Sequence, residues 1–234
     1  MGIPVALPAM TRDFDAVLFD AGGVLVVPDP TVLAPLLSFY GATTDLSTYI
    51  RAHYRAMAAK SEHQSDESDW SKYNDAYVEV VGVAQHHRQE ASYVLNRTRS
   101  AHLWRYRLPG SRETLQALHD VGVPIGIVSN ATGQIEQILG HAGVCQVGPG
   151  DHAPVRCIVD SHIVGVAKPD PRIFDYALPH FEGIDRQRIA YVGDSLVMDV
   201  GGSRAAGLRP ILLDPFNDAS HHDVERIASL EQLL

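Results

Sequence analysis

The chain has 234 residues, with 19 Lys and Arg against 28 Asp and Glu for a formal charge of −9, and 45% of its residues are hydrophobic. Such a length suits one domain or two around a real core, and the apolar fraction excludes a largely disordered chain. An acidic total without any basic run excludes a protein that coats nucleic acid or an anionic membrane, yet a local site can still oppose the global field and take a small anion. Cys145 and Cys157 make neither a disulfide framework nor a CxxC knuckle, which reads as reduced thiols in a cytoplasmic compartment. The start, Met1 to Met10, lacks a basic n-region and is interrupted by Pro4 and Pro8, so no signal peptide is expected. No apolar run reaches the ~18 residues of a membrane span.

Four short apolar runs end on polar residues. The first is Ala16 to Phe19 before Asp20. Roughly a hundred residues then intervene, far more than one crossover helix needs. Within them, Val32 to Tyr40 predicts a helix stopped by Gly41, and Asp45 to Lys60 a second with Leu46, Tyr49, Ile50, His53 and Met57 near a 3.6 period. After a polar stretch, Trp70, Tyr73 and Tyr77 share a helical spacing that reads mainly as packing, and Gln89 to Trp104 predicts a last helix. This looks like a helical insertion, residues 29–104, joined to the rest at Pro28-Asp29-Pro30 and Leu108-Pro109-Gly110 as a two-linker hinge. Beyond it, helices predicted at Arg112–Asp120, Gln134–Leu139, Ile173–Phe181 and Met198–Ala206 alternate with the runs Ile125–Val128, Ile189–Val192 and Ile211–Leu213. Continuous apolar runs alternating with helices predict an α/β fold, a Rossmann-like parallel sheet formed by residues 12–28 and 105–234.

Ligands in such sheets bind beyond the carboxyl ends of the strands, where Asp20, Ser129 and Asp194 fall. Asp20, on a glycine-bearing turn, is placed to attack a substrate or hold a cation. Asp194 and Asp199 form a second acidic group on a strand-to-helix turn, and carboxylates gathered from separate strands suit Mg²⁺. Ser129 and Asn130 offer a hydroxyl and an amide to phosphate oxygens. Lys168, one of three lysines in the chain, is a compact ammonium fit to partner a carboxylate nucleophile.

The order Asp20, Ser129-Asn130, Lys168-Pro169-Asp170-Pro171, Gly193-Asp194 to Asp199 resembles the haloacid dehalogenase superfamily of hydrolases, with the insertion where that family carries its C1-type helical cap. The resemblance implies a Mg²⁺-dependent phosphatase of a small phosphorylated metabolite. Asp20 would form an aspartyl-phosphate, Ser129 with Asn130 would bind the phosphoryl group, and Lys168 would steady the charge. Mg²⁺ would sit on Asp20, Asp194 and the backbone carbonyl of Gly22, with Asp199 close by.

One departure stands out. Phosphatases of the family usually carry a second Asp, a general acid and base, where this chain has Gly22. A positioned proton donor is worth about 10²–10⁴ in rate, so Gly22→Asp is expected to help poor leaving groups. The alternatives are a 2-haloacid dehalogenase-type hydrolase, whose leaving group needs no proton, and a weakly active or inactive binding protein of the same fold. Gly193-Asp194-Ser195-Leu196 also spells a serine esterase signature, with Asp218 and His221 as a matching pair, but that layout leaves Asp20 and Lys168 unexplained.

Overall fold

A computed structural model describes residues 13–65 and 68–234, so the Met1–Met10 start lies outside the described residues. The first apolar run becomes β1 (Ala16–Phe19), with Val17 and Phe19 in the core on one face of the sheet and Ala16 and Leu18 in the core on the other. A glycine turn leads to β2 (Val26–Pro28), and the helical insertion follows: α1 (Pro30–Ser38), α2 (Leu46–Glu62), α3 (Ser71–Val80) and α4 (Arg88–Arg97). Asp29 and Asp45 cap the first two helices by accepting the Thr31 and Ser47 amides, and Pro30 opens α1 with its φ already suited to a helix. The chain returns through β3 (Trp104–Arg107) and continues as α5 (Ser111–Asp120), β4 (Ile125–Ser129), α6 (Ile135–His141), β5 (Cys145–Val147) and β6 (Ala153–Val155). It ends with β7 (Ile158–Asp160), β8 (Ile189–Gly193), β9 (Arg209–Leu213) and β10 (Glu225–Ile227).

Six strands form the main sheet in the order β10-β9-β8-β1-β4-β7, and every neighbouring pair is parallel. The α/β class is therefore the observed one. Helices α5 and α6 cover one face through Leu115, Leu118, Ile135 and Leu139; the segment carrying Ile173, Phe174 and Phe181 covers the other. The insertion has its own core, in which Leu33, Leu37, Tyr49, Tyr73, Tyr77 and Leu95 pack together.

The structure differs from the sequence expectations in four places. The joints of the insertion are not loose linkers, because β2 and β3 pair antiparallel, Val26 opposite Arg107 and Val27 opposite Tyr106. The helix predicted to run on to Trp104 stops at Arg97, and Trp104 opens the returning strand. The segment predicted as one helix over Ile173–Phe181 forms two 3₁₀ turns, Pro171–Tyr176 and Leu178–Phe181, the second opened by a proline with no amide to donate. The helix predicted at Met198–Ala206 begins instead as a π-helical turn, Leu196–Gly201, and only Gly202–Ala205 is α-helical.

Gly126, in the middle of β4, shows how tightly the sheet is packed. A Cβ there would lie 2.8 Å from Leu18 Cδ2 and 3.0 Å from both Cys157 Sγ and Phe181 Cζ, all on buried side chains. Gly126→Ala is expected to cost about 1–3 kcal/mol by overpacking, read as a lower urea midpoint at unchanged m-value. An unchanged midpoint would contradict this packing.

Candidate active site

Strand β1 lies between β8 and β4, so the chain crosses to opposite sides of it and leaves a crevice at their carboxyl ends. Asp20 follows β1, Ser129 closes β4, and Asp194 follows β8. The turn after β1 is held by glycine. Gly23 has φ +75°, and a Cβ there would run into the Asp194 carboxylate and lie 2.7 Å from His53 Nε2.

The centre of the site is a buried lysine. The Lys168 side chain is 1% exposed, and its ammonium reaches Asp20 Oδ1 at 3.0 Å, Asp199 Oδ1 at 2.6 Å and the Tyr191 hydroxyl at 2.7 Å. Three acceptors match the three protons of an ammonium. Tyr191 in turn donates to the Val128 carbonyl at 2.7 Å, tying β8 to β4. Burial alone would lower the Lys168 pKa, but the Asp199 and Asp20 carboxylates outweigh it and hold the group above its ordinary range. Burial pushes the Asp20 carboxyl up to about 7, opposed by Lys168 and Ser129 and reinforced by Asp199 and Asp194. Burial also raises Asp194, with the His53 hydrogen bond pulling the other way.

The sequence candidates play distinct parts. Asp199 has both oxygens engaged, Oδ1 by Lys168, Oδ2 by the Asp194 amide at 3.0 Å and the Ser195 amide at 2.9 Å. It organises the loop that carries Asp194. The Asn130 side chain is likewise engaged. It donates to the Lys168 carbonyl at 2.9 Å and accepts the Lys168 amide at 2.8 Å, so it positions the lysine with Oδ1 and one Nδ2 proton while also lining the cavity. Ser129 and Gly22 both line the cavity beside Asp20. Ser195 is buried and its hydroxyl accepts the Met198 amide at 3.2 Å, while Asp218 is held by Arg51; the esterase reading therefore has no assembled nucleophile.

Helix α2 closes over these strand ends. Tyr54 donates to the Gly23 carbonyl at 2.8 Å, Arg51 forms a bidentate pair with Asp218, and His53 Nε2 lies 2.9 Å from Asp194 Oδ2, with its Nδ1 2.9 Å from the Tyr73 hydroxyl. The cavity beneath, about 450 Å³, is walled by Asp20, Ser129, Lys168 and Asp194 on one side and by Lys60, Trp70, Arg99 and Trp104 on the other. Trp104 meets Gly22 directly: a Cβ on Gly22 would lie 3.1 Å from the indole. The indole thus stands where a side chain at that position would begin.

Hard oxygen donors are in place for a divalent cation. Asp20 and Asp194 offer carboxylate oxygens to one point, with an oxygen of Asp199, already engaged by Lys168 and the loop amides, within 4.8 Å of them, in a buried setting where the combined charge exceeds what one ammonium balances. Such a donor set fits Mg²⁺.

Fold and site together define a Rossmann-like α/β core with an acidic site at its strand ends and a helical insertion over them. The chain belongs to the haloacid dehalogenase-like hydrolases, a family match that spans residues 14–207. It is 35% identical over 133 residues to the pyrimidine 5′-nucleotidase YjjG of Escherichia coli (strain K12), covering 54% of this chain and 56% of that protein. To a glyceraldehyde 3-phosphate phosphatase of Pyrococcus abyssi it is 29% identical over 141 residues, covering 59% of this chain and 50% of that protein. The chain thus spans about half the length of the curated relatives it matches. Among solved structures, a phosphatase of this family from Thermococcus onnurineus superposes with a TM-score of 0.58 at 22% identity, over 94% of this chain and 95% of that one. A 2-haloacid dehalogenase from Pseudomonas syringae gives 0.54 at 20% identity, over 94% and 96%; these likenesses establish the fold.

The raised Asp20 pKa sets a pH dependence for the metal-free protein. Between 3.8, its ordinary value, and about 7, the folded state keeps a proton that the unfolded chain releases. Stability therefore falls as pH rises through this window and levels above it. Urea midpoints in EDTA are expected to drop from pH 4.5 to pH 7, with a shallower slope in Asp20→Asn; equal slopes would contradict the raised carboxyl.

Proposed function

We propose that this chain is a Mg²⁺-dependent phosphomonoesterase of a small phosphorylated metabolite, with Asp20 as its nucleophile. The observation that carries the reading is the Asp20 carboxylate at the floor of the cavity, held by Lys168 and flanked by Ser129 and Asp194. Asp20 attacks phosphorus, the bond from phosphorus to the leaving oxygen breaks, and that oxygen departs with the electron pair and takes a proton from solvent. Water then attacks the aspartyl-phosphate at phosphorus and releases inorganic phosphate, restoring the carboxylate. Lys168 balances the charge on Asp20 and on the transferring group, and the Ser129 hydroxyl orients a phosphoryl oxygen. Asp20, Asp194 and the Gly22 carbonyl would hold Mg²⁺, with Asp199 fixing the Asp194 loop. Bound there, the cation would neutralise phosphoryl charge and draw the Asp20 proton off.

The names of the nucleotidase and phosphatase relatives support the phosphomonoester class. The acidic pair Asp20 and Asp194, poised for a cation, favours it over the dehalogenase alternative. Under this reading the helical insertion acts as the cap that selects the leaving group, and with no carboxylate at Gly22 the enzyme suits leaving groups that need little protonation, such as acyl or anomeric phosphates.

The test is a phosphatase screen over a metabolite panel and p-nitrophenyl phosphate, with and without Mg²⁺. Turnover is expected only with metal, and Asp20→Asn is expected to lose about 10³-fold or more. Turnover surviving in Asp20→Asn or in EDTA would overturn the proposal. The indole beside Gly22 adds a second expectation. Gly22→Asp alone gains nothing against poor leaving groups because Trp104 occupies the approach, whereas Gly22→Asp with Trp104→Ala raises their kcat by about tenfold or more. A gain in the single variant would show that Trp104 yields.

A further inference from the structure

The wall of the cavity facing Asp20 carries two cations that the chemistry above does not use. Lys60, near the end of α2, is 3% exposed; its ammonium lies 4.3 Å from the centre of the Trp70 ring and donates to the Asp69 carbonyl at 2.8 Å. Arg99, just past α4, stacks with its guanidinium carbon 3.9 Å from the same ring and donates to Asn74 Oδ1. Among the described residues no carboxylate forms an ion pair with Arg99, and its Nε is buried without a hydrogen-bond partner. Burial holds its pKa below the ordinary value. A guanidinium withdrawn from water without a counter-ion is costly, and a ligand anion is the group that relieves that cost. Trp70 already carries both cations, so its ring serves as their platform more naturally than as a stacking surface for a base. In a chain of net charge −9, the Arg99 guanidinium, stacked on Trp70 beside Lys60, gives the reaction cavity a cation that no carboxylate among the described residues pairs with.

Resting on the phosphatase reading, we infer that Arg99 and Lys60 on Trp70 form a second anion subsite, and that the substrate's leaving group bears a carboxylate or a second phosphate. The transferred phosphoryl group sits at Asp20, Ser129 and Lys168, and the second anion sits against the insertion. The subsite works through binding, so it acts on KM before kcat.

Matched pairs test this with the intact protein. Glucuronic acid 1-phosphate and glucose 1-phosphate, both anomeric phosphates, differ by a carboxylate in place of a hydroxymethyl group, and glucose 1,6-bisphosphate and glucose 1-phosphate by a second phosphate. The wild type is expected to prefer the doubly anionic member of at least one pair by about tenfold or more in kcat/KM; the pair that discriminates identifies the anion. Arg99→Gln is expected to bring that ratio close to one, mainly through KM, and Arg99→Lys to retain part of it. Equal kcat/KM within both pairs in the wild type, or an undiminished ratio in Arg99→Gln, overturns the subsite. p-Nitrophenyl phosphate keeps the two readings apart. Should the wild type with Mg²⁺ fail to hydrolyse it or any pair member, the phosphatase reading falls, and calorimetric Kd ratios for the same pairs then decide the subsite by the same criterion.

Discussion

The structure of the site depends on one buried ammonium. Lys168 sits between Asp20 and Asp199 and beneath Tyr191, and each of these groups is oriented for a second purpose: Asp20 toward the cavity, Asp199 toward the amides of the Asp194 loop, Tyr191 toward β4. Placing carboxylates this close together in a dry setting raises their pKa values unless positive charge is supplied. One lysine supplies part of it, and a divalent cation is the natural remainder. The fold serves this cluster by bringing the ends of β1, β4 and β8 side by side and by clamping the lysine's backbone with Asn130.

The insertion completes the site from above. Three residues of α2 reach the strand ends, with Tyr54 on the Gly23 carbonyl, His53 on Asp194 and Arg51 on Asp218. Because β2 and β3 pair at the joint, Trp104 is fixed over Gly22, where the indole fills the space a side chain would enter. On the proposed function, the glycine at position 22 and the indole over it form one arrangement that would narrow the leaving groups the site suits.

Much of this was legible in the chain. Asp20, Ser129 and Asp194 announce themselves as polar residues ending fully buried apolar runs, and Lys168 stands out by its rarity and its Pro-Asp-Pro context. The short strands β7 and β10, three residues each, carry too little pattern to be found by periodicity. Tyr191 is hidden inside an apolar run, where nothing in sequence separates a hydroxyl with two partners from ordinary core. His53 is one of twelve histidines, and Trp104 continues a helical spacing that the backbone abandons seven residues earlier, at Arg97. Arg99 gives no signal at all, since what sets it apart is that no carboxylate among the described residues pairs with it. Asn130 and Asp199 were legible as site residues, but their roles as positioning groups follow only from which atoms their side chains already bind.

On the proposed mechanism, a carboxylate oxygen of Asp20 takes the phosphoryl group. The most direct measurement is peptide mass spectrometry of enzyme acid-quenched during Mg²⁺-supported turnover of a phosphomonoester. A phosphoryl adduct is predicted on the peptide containing Asp20, absent when Asp20→Asn is treated identically. An adduct on any other residue, or steady turnover with the Asp20 peptide unmodified in the wild type while Asp20→Asn remains active, would contradict it.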